Sequence, residues 1–139
     1  MDERHRYEDM TLTALRIFAG LAYFTHGGQK VFGWFGGFGA DGGTADLMTR
    51  FGAAGLIEVV CGLAIVFGLF TRPLAFFASG QMAVAYFWVH VMGQGGLFWW
   101  GNGGELAMVY SFLWLYLAVR GPGSFSVDGW LAKRKDVAN

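Results

Sequence analysis

Ionisable side chains interrupt otherwise apolar stretches of this chain at Arg16, His26, Lys30, Glu58, His90 and Glu105. A charged group inside a membrane helix costs about 2.5–3.5 kcal/mol on the insertion scale, so such groups face the bundle interior and find partners. An imidazole, an ammonium and two carboxylates gathered in one place can donate hydrogen bonds to carbonyl oxygens and exchange protons beside them. A quinone makes those demands, since its ring oxygens take donors and its reduction takes protons. Glu58 and His26 are the candidates for proton handling. Lys30, Tyr23, Tyr86, His90 and Glu105 are the candidates for ligand contact, with aromatic and Met side chains lining a ring and tail. Each residue also has a structural alternative. Lys30 can snorkel to the interface, Glu105 suits a helix N-terminus without further function, and Glu58 can form a structural ion pair with Lys30 or His26. Arg16 is expected to be structural, pairing near the inner headgroups or with the tail, and Cys61 to be a packing residue.

The elements that must position these groups follow from composition. The chain has 139 residues, 55% hydrophobic and only 14% charged, with 23 glycines. A soluble domain averages about 25% charged residues. Spans of about 20 residues are expected at 12–33, 51–70, 74–93 and 105–119, giving an all-α polytopic bundle of four transmembrane helices in a single domain. Glycines 52, 55, 62 and 68 suit close helix packing. Two Gly-rich loops, 34–50 and 94–104, join the spans, and Thr71-Arg72-Pro73 is expected as a tight turn. A polar segment, 1–10, precedes the first span, which lacks the clean apolar run and cleavage site of a signal peptide. An interfacial segment, 121–139, follows the last, with Asp128 capping a short helix that lays Trp130 and its basic residues on the inner surface.

Arg4, Arg6, Arg72, Arg120, Lys133, Arg134 and Lys135 fall on one side of these spans, and only Arg50 lies outside them on the other. The positive-inside rule therefore puts both termini in the cytoplasm, with Trp34, Trp99 and Trp100 in the outer aromatic belt. His26, Lys30, Glu58, His90 and Glu105 then share the outer half of the membrane. Arg16, Tyr23 and Lys30 are spaced by seven on one helical face, Met82, Tyr86 and His90 by four on another, and Glu105, Phe112 and Tyr116 lie on one side of the last span. Those faces are expected to point inward.

Some functions are excluded or disfavoured. Zero formal charge leaves no nucleic-acid footprint. A lone cysteine excludes an internal disulfide, and no flavin, nicotinamide or metal motif is present. Haem held by His26 and His90 is disfavoured by their differing depths, about 6 Å along the axes. A transporter ranks lowest, because only Arg16 is charged in the inner half of a span.

The runs LRIFAGLAYFTHGGQKVFG, GLIEVVCGLAIVFGLFTRP, GGELAMVY and GPGSFSVDGWL resemble, in register, the motifs of the DoxX family of small membrane proteins. The resemblance covers about residues 12–131. It implies a four-helix bundle in a bacterial or archaeal cytoplasmic membrane, and an association with quinone chemistry, including thiosulfate:quinone oxidoreduction, and with membrane oxidoreductase assemblies. The expectation is a quinone-interacting subunit whose protein partner supplies electrons. The alternative is a non-catalytic structural or assembly subunit.

Overall fold

The computed structural model describes residues 3–138. Met1, Asp2 and Asn139, at the outer ends of the expected polar segment and interfacial tail, lie outside them. Helix is the organising element throughout: α1 (Glu3–Phe32), α2 (Arg50–Phe67), α3 (Thr71–Ala85), α4 (Trp99–Asn102), α5 (Glu105–Arg120) and α6 (Val127–Ala138). Helix α3 continues through a π-helical stretch, Tyr86–Val91, and a last turn, Met92–Gln94. No strand occurs among the described residues, only an isolated bridge between Phe38 and Gly43 in the first Gly-rich loop. Arg50–Phe67 and the continuous Thr71–Gln94 are long and apolar enough to cross a bilayer.

Helices α1 and α2 pack along a glycine seam. A Cβ on Gly27 would lie 2.7 Å from Gly55 O and Val59 N, and one on Gly62 would lie 2.9 Å from Phe24 N. The seam is antiparallel, with Gly20 facing Gly62 and Gly27 facing Gly55, so the backbones approach as only small residues allow. Helices α3 and α5 form the second pair, tied by reciprocal bonds in which Ser79 Oγ donates to Ser111 O (2.8 Å) and Ser111 Oγ to Ser79 O (3.1 Å). Tyr23 joins the two pairs. Its ring packs 5.6 Å from Tyr110 and 5.2 Å from Trp114, at the centre of the buried core.

Several boundaries differ from expectation. Helix α1 begins at Glu3 rather than after the polar segment. The chain turns at Gly68–Phe70, not at Thr71-Arg72-Pro73: Gly68 ends α2 with φ 70°, and α3 starts at Thr71. Pro73 is tolerated there because N–H groups of the first turn have no intrahelical partner. Of the glycines expected at helix contacts, Gly55 and Gly62 are in the seam. Gly52 packs on the loop at Asp46 and Leu47, and Gly68 packs on Arg16 and Ser126.

The end of the bundle near the Gly68 turn is stapled by charges aimed at backbone. Arg16, 1% exposed, donates to Ile65 O (3.2 Å), Val66 O (3.1 Å) and Phe125 O (2.7 Å). Asp9 accepts from Ser124 N at 3.0 Å and 3.1 Å through its two oxygens. Arg72 donates to the carbonyls of Ala118, Val119 and Arg120, closing the C-terminus of α5. Asp128 does not cap its own helix. Its carboxylate accepts from Phe70 N and Thr71 N, both at 2.9 Å, and so caps α3. Ser126 does the local work on α6, accepting from Gly129 N at 3.0 Å. Trp130 is exposed beneath Arg134, whose guanidinium lies 4.0 Å from the ring centre.

Candidate functional site

The opposite half of the bundle opens into a cavity of about 790 Å³ between the two helix pairs. Its wall is apolar apart from Arg50 and a cluster of polar side chains. Helix α1 supplies Tyr23, His26 and Lys30 from adjacent turns, α2 supplies Glu58, and α3 supplies Gln81 and His90. Lys30 Nζ sits 2.6 Å from both Glu58 oxygens. The glycine seam allows this contact, because the Lys30 stem runs over Gly55, where an added Cβ would lie 2.8 Å from Lys30 Cβ. Glu58 is 3% exposed, and the Lys30 side chain is 17% exposed. An ammonium has three donors, so Lys30 keeps one beyond the two that hold the carboxylate.

Tyr23 donates its hydroxyl proton to Gln81 Oε1 at 2.5 Å, so Gln81 offers only its NH2 donors to its other neighbours, the Glu58 carboxylate among them. Gln81 and His26 are both neighbours of the Glu58 carboxylate. The half-buried His26 ring packs edge-on against Tyr110 with centroids 6.5 Å apart and makes no hydrogen bond among the described residues. His90 Nδ1 lies 3.1 Å from Asn102 O, which ties α3 to the short helix α4. Asn102, 3% exposed, in turn holds the second Gly-rich loop, donating to Gly96 O (2.9 Å) and accepting from Gly104 N (2.8 Å).

The structure therefore brings Tyr23, His26, Lys30, Glu58 and His90 to one cavity and leaves out two other candidates. Tyr86 is buried, and its hydroxyl donates to Leu97 O at 2.6 Å, so it fastens the loop. Glu105 is exposed at the start of α5 and lines no part of the cavity. The face it shares with Phe112 and Tyr116 is turned outward, these two being 66% and 53% exposed, whereas Ala107, Tyr110, Trp114 and Leu117 face the core. The expected row of Met82, Tyr86 and His90 is interrupted as well. Met82 and His90 line the cavity and Tyr86 does not, and a π-helical turn, of a kind that occurs often at functional sites, runs from Tyr86 to Val91. Gln81 was absent from the candidates because it carries no charge. Its signal is a lone amide one turn before the aromatic run of α3. No group of three or more His, Cys, Asp or Glu placed to hold a metal ion occurs among the described residues.

Two helices long and apolar enough to cross a bilayer, beside a polar cluster in a ligand-sized cavity, are features of a small membrane protein. The model of the DoxX family matches residues 11–91, and the chain belongs to that family. An uncharacterized protein of Haemophilus influenzae is 38% identical over 136 residues, covering 96% of this chain and 100% of that one. The inner membrane protein YqjF of Escherichia coli is 30% identical over 139 residues, covering 93% of this chain and 98% of its own. No solved structure matches the chain.

Proposed function

We propose that this protein spans the cytoplasmic (inner) membrane four times with both termini inside, and binds a quinone in the cavity as a subunit of a membrane oxidoreductase. The observation that carries the reading is one compact polar cluster in an otherwise apolar chamber. The volume falls within the roughly 300–1,000 Å³ of small-molecule sites, and the donors that converge there suit carbonyl oxygens. The basic residues at the stapled end support the orientation, and the relative from Escherichia coli named as an inner membrane protein supports the location.

A bound quinone supplies exchange of electrons and protons at its ring oxygens. His26 offers a ring N–H, Lys30 its remaining ammonium proton and Gln81 its amide. Glu58 holds Lys30 in position and is the cluster's proton acceptor, with His26 beside it. Tyr23 fixes the Gln81 amide so that its NH2, not its oxygen, is available. The apolar wall excludes water from this exchange. The sequence carries no flavin or nicotinamide fingerprint, so the electron exchange is assigned to a partner protein.

The test is mass-spectrometric measurement of quinone in an organic extract of the mildly solubilised protein and of His26→Ala. Near-stoichiometric quinone in the wild type, lost in the variant, is expected. Quinone in neither protein, with none bound on addition, would overturn the reading in favour of an assembly subunit.

A further inference from the structure

The cavity is open along its side. Phe76, Gly80, Val84 and Trp88 recur every four residues on α3, all are exposed, and all line the cavity. Ala53, also exposed, and Ile57 line it from α2. The gap between α2 and α3 thus has an apolar rim that lies within both membrane-length helices and faces lipid, with the polar cluster behind it. Added bulk at Gly80 would meet nothing within 4 Å. At the end of this gap away from the Gly68 turn, one cation bridges the two helices. The Arg50 guanidinium, in the first turn of α2, lies 5.1 Å from the Phe51 ring centre and 5.5 Å from that of Trp88, in the π-helical turn of α3.

We infer that the gap between α2 and α3 is a lateral portal through which a long-tailed quinone enters from the bilayer, with Arg50 on Trp88 as its latch. This rests on the quinone reading above and specifies the tail. The head reaches Lys30 and Gln81, and the polyprenyl chain leaves across Gly80 into lipid. A ligand arriving from water would need a polar mouth, whereas this rim is aromatic and aliphatic apart from Arg50 at its end. Cation–π contacts at exposed positions are weak enough to open and re-form with each passage. The π-helical turn sets Trp88 in the wall where Arg50 can reach it.

The experiment follows binding rates by quenching of intrinsic Trp fluorescence, with the protein in phosphatidylethanolamine–phosphatidylglycerol nanodiscs. The probes are a polyprenyl benzoquinone and the tail-less benzoquinone of the same ring. Gly80→Phe is expected to slow association of the tailed quinone on the order of tenfold, while binding of the tail-less quinone stays within about twofold of wild type. Arg50→Ala is expected to raise both association and dissociation of the tailed quinone by about fivefold, with affinity nearly unchanged. Equal effects of Gly80→Phe on both quinones, or none on either, would overturn the portal. Unchanged rates in Arg50→Ala would overturn the latch. Wild-type protein that binds neither quinone would overturn the quinone reading itself, and the route with it.

Discussion

The two ends of the bundle both bury polar side chains, but they commit them differently. At the stapled end Arg16, Arg72, Asp9 and Asp128 are directed at backbone carbonyls and amides of other elements. Such groups satisfy helix termini and turns that lipid cannot, although Arg16 Nε stays buried without a partner. At the cavity end Lys30 meets Glu58 and Tyr23 meets Gln81, side chain to side chain. Those pairs line the cavity and keep donor capacity beyond the bonds that hold them together. The difference separates polar residues that hold the chain together from polar residues that can hold something else.

The largest expected effect comes from splitting the cavity pair. Lys30→Met leaves Glu58 a buried carboxylate without its cation, a loss of about 3–5 kcal/mol, read as a lower unfolding midpoint in detergent. The double variant Lys30→Met/Glu58→Met is expected to recover most of that stability and still bind no quinone. A double variant that binds as wild type would erase the distinction between the two ends.

Arg16→Gln probes the stapled end. It deprives Ile65, Val66 and Phe125 carbonyls of a charged donor, for a loss of about 3 kcal/mol. The folded fraction that survives is expected to bind quinone with wild-type affinity. Affinity that falls along with stability would instead make the two ends one functional unit.

Gly55→Ala joins the fold to the site, because its new Cβ would press on Lys30 Cβ and on Val31 Cγ2, 2.9 Å away. Overpacking of this kind costs about 1–3 kcal/mol. Here it should also displace Lys30 and weaken quinone binding, whereas Gly80→Ala should do neither.

The smallest effect is expected for Asp128→Ala, which removes a cap from α3 for about 1 kcal/mol. Quinone binding should be untouched. A loss far larger than that of Arg16→Gln would mean that the α3 cap, not the Arg16 staple, organises this end.

The topology can be tested alongside. Impermeant maleimide added to intact cells should label Thr44→Cys and spare Lys133→Cys. Cys61, 2% exposed, contributes no background. The reverse pattern would invert the proposed orientation.

The sequence made the long helices, the Gly-rich loops and the shared depth of His26, Lys30 and Glu58 legible, because charges in apolar segments can be ranked by depth. That they meet depends on helix rotation, which spacing alone does not fix. It did not show which way α5 faces. That helix is apolar on every side, so periodicity carries no inward signal, and Tyr110 and Trp114 look no different from Phe112 and Tyr116. The targets of Arg16, Asp9 and Asp128 were hidden for another reason: backbone groups are the same in every residue. The π-helical turn at Tyr86–Val91 was hidden as well, because even spacing cannot reveal it.

The central claim is that the cavity end, not the lipid-facing surface, takes the quinone. Its most direct test is photolabelling of the membrane-embedded protein with an azido-quinone, followed by peptide mapping. Label within residues 23–30 and 81–90 that unlabelled quinone competes away is expected. Label of equal yield on the outward face of α5, around Phe112 and Tyr116, and insensitive to competition, would contradict it.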